Sequence, residues 1–158
     1  MSARPRPVEA PRPLGEVDQA VLERALLACL LSDPRGTIAA IKETRLRRSD
    51  VSLAMAEVIA SARDILGAGE PVSVEALAAT LKARRAEAPR DAPGWYSYLT
   101  GCGLSDHDPG RWCRALRAMA LRRRLPAAAQ AVAERRAGAL QMLSSMVAEL
   151  QALAGGTP

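Results

Sequence analysis

The chain contains no phenylalanine and only two tryptophans and two tyrosines, yet 49% of its residues are apolar. Any core it builds is therefore made of Leu, Ala, Val, Ile and Met. Sheets favour β-branched and aromatic side chains, whereas Ala, Leu and Met are among the best helix formers. This composition points to closely packed helices, and a length of 158 residues fits one domain.

Local signals place the helices. Pro5, Pro7, Pro11 and Pro13 alternate with arginines, so residues 1–15 are expected to form a flexible Arg/Pro-rich tail. Val17, Val21, Leu22, Ala25, Leu26, Cys29 and Leu30 make residues 16–31 a helix that is apolar around much of its circumference, hence central. Asp33-Pro34 combines a favoured N-cap with the first helical position that tolerates proline, and a short helix with Ile38 and Ile41 follows. Val51, Met55, Val58, Ile59, Ala62, Ile65 and Leu66 keep helical spacing until Gly67 and Gly69. Ser73 caps a fourth helix with the stripe Val74, Leu77, Ala78 and Leu81. Trp95, Tyr98 and Leu99 mark a short segment. With Tyr96, the aromatics there are either an exposed patch or the large anchors of the core.

Asp108-Pro109 repeats the cap-and-proline signal and opens a long helix to about residue 136. Pro126 lies inside it, and a kink or short break is expected over 124–127. A last helix over 139–154 carries Leu140, Leu143, Val147, Leu150 and Leu153. No segment has the alternation of a strand. The expected fold is all-α: a helical bundle over 16–107, a helical hairpin over 108–154 in the same unit, and a tail at 155–158.

Charge is unevenly placed. Residues 16–108 hold 11 basic and 14 acidic side chains, whereas 109–136 hold eight arginines against Glu134 alone. At about 100° per residue, Arg111, Arg114, Arg117, Arg122 and Arg124 fall within an arc of roughly 160°, opposite Trp112, Leu116 and Met119. Arg123 breaks this segregation. Its stem packs while its head reaches solvent, or it pairs with a carboxylate or a neighbouring chain. The arc has three readings: a solvated face, a surface for a protein partner or for self-assembly, and a weak contact with nucleic acid.

Several chemistries lack their residues. Neither Lys42 nor Lys82 stands in the glycine-rich context that cradles nucleotide phosphates, and one histidine leaves little room for triad chemistry. The expectation is a non-enzymatic protein without cofactor. Cys102, Asp106, His107, Asp108 and Cys113 include thiolate and imidazole donors, but lack the tight pairs of a zinc site and read instead as a polar turn. Three scattered cysteines fit a reduced, cytoplasmic protein. The N-terminus has no apolar signal region, and no apolar run approaches a membrane span.

In order and spacing, these features resemble the N-terminal domain of DnaB-type replicative helicases. The stretch Glu16-Val-Asp-Gln-Ala-Val-Leu-Glu looks like the first helix of that domain. Ile59 to Leu81, with Gly69-Glu70-Pro71-Val72-Ser73 between two helices, is similar to its helix–turn–helix passage. Trp95-Tyr-Ser-Tyr-Leu matches its short Tyr-Leu helix, and Ala115 to Ala133 looks like the start of its hairpin. The chain departs from the pattern at Glu23-Arg24, where glycine is usual, and at Pro126. The resemblance covers about residues 16–154. It implies a module that self-associates, or joins a replicative helicase in a hetero-oligomer, and docks primase or a loader, without the motor domain that binds ATP. Arg111, Arg114, Arg117, Arg122, Arg123 and Arg124 are the candidate partner-binding residues. The alternative is a small basic DNA-binding regulator using the same arginine face.

Overall fold

A computed structural model describes residues 16–90, 94–101 and 108–155, with side chains from Gln19 onward. Seven α-helices occupy these residues: α1 (Glu16–Ser32), α2 (Pro34–Glu43), α3 (Leu53–Gly67), α4 (Val74–Ala83), α5 (Trp95–Thr100), α6 (Pro109–Ala133) and α7 (Ala139–Gly155). A 3-10 turn, Arg48–Asp50, precedes α3. No strand occurs among the described residues, so the protein is all-α.

The caps form where the sequence places them. The Asp33 carboxylate accepts from the Gly36 N–H at 3.0 Å, Ser73 Oγ from the Ala76 N–H at 3.1 Å, and Asp108 from the Arg111 N–H at 3.0 Å. Each satisfies a donor that the first helical turn leaves without a backbone partner. Four helix ends close in the same way. After α2, α3, α4 and α6 the chain passes through a left-handed residue, and the next N–H reaches back five residues to a helical carbonyl. Glycine usually takes that left-handed place, and Gly69 does so after α3. Arg45, Arg85 and Arg135 hold it after the other three, with φ near 54°.

Packing follows the apolar stripes. Leu26, Leu27 and Leu30 of α1 meet Ile41 of α2, Met55, Val58, Ile59, Ala62 and Ile65 of α3, and Leu77 and Leu81 of α4. Helix α1 contacts α2, α3 and α6, which gives it the central place expected of it, although its Val21 is exposed. The aromatic group divides. Trp95 is buried, donates from Nε1 to the Ala86 carbonyl at 2.9 Å and meets Tyr98 edge to face, whereas Tyr96 is exposed.

Glu23, the departure on α1, is buried. Its carboxylate accepts from the Ser52 N–H and the Ser52 hydroxyl, each at 2.6 Å, and from Gln19 Nε2 at 2.7 Å. The Ser52 hydroxyl in turn caps α3 by accepting from the Met55 N–H at 3.2 Å. One carboxylate thus ties the middle of α1 to the start of α3.

The short break that is one form of the expectation at Pro126 does not occur. Helix α6 runs without a break through Pro126. Proline lacks the N–H that the Arg122 carbonyl would otherwise receive, so one intrahelical bond is forfeited. The helix is held from outside instead, because α6 packs against α1, α2, α7 and the 3-10 turn.

Candidate functional site

The six candidate arginines all lie on α6, but they do not form one cationic face. Arg117, expected on the cationic surface of the helix, is only 2% exposed. Its Nη1 donates to both oxygens of Asp50, at 2.9 and 3.2 Å. Its Nε and Nη2 donate to the two oxygens of Glu149 on α7, at 2.7 and 3.1 Å. Paired hydrogen bonds to Glu149 raise the pKa of this guanidinium above its ordinary value, burial opposes them, and Asp50 adds to the rise. Asp50 is wholly buried and also accepts from the Arg47 N–H at 2.8 Å and from Arg124 Nη2 at 2.8 Å. Arg124 further bonds the Ser49 hydroxyl at 2.8 Å.

Two of the five arginines on the arc are therefore turned inward. The angular segregation in the sequence is real, but the 3-10 turn and α7 cover part of that side. Arg123 pairs with no carboxylate among the described residues: it is exposed and donates to the Gln19 side-chain oxygen on α1. Arg111 is exposed, with its guanidinium carbon 5.0 Å from the centre of the Trp112 ring. Arg114 lies 4.0 Å from Asp108, and Arg122 is exposed without an ion pair among the described residues.

The hairpin that this network locks has a second property. Glu149 is the single charged residue of α7, and it faces α6. At about 100° per residue, Leu140 and Val147 stand roughly 160–180° from Glu149 around the helix, so they point away from α6. They are 67% and 41% exposed, and Met142 is also exposed. Leu143, Met146, Leu150 and Leu153 are half-buried, and Ala139 is the one buried residue of α7. The expected stripe is present, but α6 covers only part of it.

Cys113 is buried in the core, and burial pushes its thiol up to about 12, against a hydrogen bond with Thr44 that lowers it. Such a thiol is protonated and a poor metal ligand. Asp108 is engaged as the α6 cap, and Cys102, Asp106 and His107 lie outside the described residues. Among the described residues no group of three His, Cys, Asp or Glu side chains is placed to hold a metal ion. No helix there is long and apolar enough to cross a membrane.

The sequence reading missed a second charged surface. Lys42, Arg45, Arg47 and Arg63 are all exposed around the end of α2 and the adjoining face of α3. Averaging charge over residues 16–108 concealed it, although the run Arg45-Leu-Arg-Arg was its signal.

The architecture defines an all-α protein with a C-terminal helical hairpin. Comparison with family models and with curated proteins finds no match for the chain.

Proposed function

We propose that this chain is a non-enzymatic replication module that resembles the N-terminal domain of DnaB-type replicative helicases, self-associates through its α6–α7 hairpin and docks a primase, helicase or loader. The carrying observation is α7: an apolar helix about 25 Å long, locked to α6 on one side and uncovered at Leu140 and Val147 on the other. That outward side bears no charge that would select a charged partner. A twofold interface sets the same patch against itself, and an uncharged face bearing Leu140 and Val147 beside Ser144 and Gln151 meets no charge repulsion there. The order of helices, with a small bundle preceding a hairpin, supports the same reading. The alternative as a DNA-binding regulator is weakened because Arg117 and Arg124 are engaged within the fold.

Size-exclusion chromatography with light scattering tests self-association. A dimer or higher oligomer at high concentration is expected, and Leu140→Glu with Val147→Glu yields a monomer of unchanged helicity. A strict monomer of the natural chain at high concentration overturns the reading. The replication assignment has a separate test in co-purification with identified primase, loader or helicase chains, and recovery of none of them removes it.

A further inference from the structure

Away from the hairpin, the α2–α3 side carries a groove with a distinct chemical character. Ile41, Val51 and Ile59 make an aliphatic floor with Leu46 beside them. Its more enclosed part is a cavity of about 190 Å³, and a trough of about 470 Å³ that shares Ile41, Leu46, Arg47 and Arg63 with it runs past Arg45 and Lys42. No carboxylate lines either part. Arg48 at one edge is neutralised by Glu57 at 2.6 Å. Lys42, Arg45, Arg47 and Arg63 have no ion pair among the described residues, and all four side chains are exposed.

We propose that this groove is a docking site for an acidic protein segment that inserts an aliphatic side chain between flanking carboxylates. Charge complementarity identifies the occupant. Four uncompensated cations around an apolar floor repel basic partners and leave a purely polar ligand unable to use the floor. A nucleic-acid strand satisfies the rim but has no aliphatic group for the floor, and no aromatic side chain lines the groove for its bases to stack upon. A Leu, Ile or Val between Asp or Glu residues satisfies both parts. The site is independent of the hairpin, so a chain that fails to self-associate can still bind here.

Fluorescence anisotropy provides the test, using a fluorescein-labelled peptide of about twelve residues, glutamates interrupted by three leucines. Controls are an all-glutamate peptide of the same length and a single-stranded oligodeoxynucleotide of equal charge. The leucine-bearing peptide is expected to bind at least tenfold more tightly than either control. Arg47→Glu with Arg63→Glu weakens it at least tenfold, whereas Arg85→Glu with Arg90→Glu, an equal charge change elsewhere, does not. Ala60→Phe fills the floor without altering charge and removes the preference for the leucine-bearing peptide. Circular dichroism verifies that each variant is folded. Equal binding of the all-glutamate peptide, tighter binding of the oligonucleotide, or no binding of the leucine-bearing peptide at millimolar concentration overturns the proposal.

Discussion

Arg117→Met removes the guanidinium from the α6–α7 network and keeps most of the aliphatic stem. Its consequence is set by what remains. Asp50, wholly buried, loses the donor that reaches both its oxygens and keeps Arg124 and the Arg47 N–H. Glu149 is 34% exposed and can turn to water, so its loss of partner costs little. Removing one member of a buried ion pair typically costs about 3–5 kcal/mol because the other charge stays behind. Two surviving donors place this case at the low end, near 3 kcal/mol. Urea unfolding followed by circular dichroism at fixed protein concentration measures it. With a slope of about 1–3 kcal/mol per molar, the midpoint falls by roughly 1–3 M. Asp50→Asn alone strands Arg117 on one side. The double variant therefore costs less than the sum of the two single changes, by about 1–3 kcal/mol. A loss under about 1 kcal/mol for Arg117→Met, or strict additivity in the double variant, refutes the claim that the network is buried and coupled.

Three further predictions concern a helix end and the core thiol. Arg135→Gly relieves a left-handed conformation that disfavours a side chain, and it is expected to stabilise the protein by about 0.5–1 kcal/mol in the same urea assay, whereas destabilisation contradicts the turn geometry. Cys113 is protonated in the folded chain and ionises near its ordinary value in the unfolded one. Stability is therefore indifferent to this group below about pH 8 and falls as pH rises above 9 toward 12, by about 1.4 kcal/mol per unit, while Cys113→Ala lacks that component. Peptide mapping after iodoacetamide at pH 8 is expected to find Cys113 unmodified in the folded protein and modified in urea. Rapid labelling of the folded chain refutes its burial.

The helices were legible because their signals are local. Asp33-Pro34, Ser73 and Asp108-Pro109 announce starts within a few residues, and the α3 stripe shows its period directly. Arg117 was not legible for a related reason. A helical wheel gives the direction of a side chain but not what lies there. Here the partners are 67 and 32 residues distant in sequence. The 3-10 turn that supplies Asp50 has no periodic pattern to betray it, and neither does the hold of Glu23 on Ser52. Pro126 misled because propensity counts the one hydrogen bond lost, whereas the helix is secured by surfaces on several sides. The uncovered flank of α7 could be seen as an apolar stripe, but only the position of Glu149 against α6 distinguishes its inner from its outer side.

Asp50 has a mechanical consequence beyond its charge. It grips Arg117 and Arg124, seven residues apart and about 10 Å along α6. The Arg122 carbonyl, which Pro126 leaves without its usual donor, lies within that span. The carboxylate therefore acts as a splint laid across the weakest length of the helix. Cutting the splint removes one restraint on that length and leaves the helix to the surfaces of α1, α2 and α7.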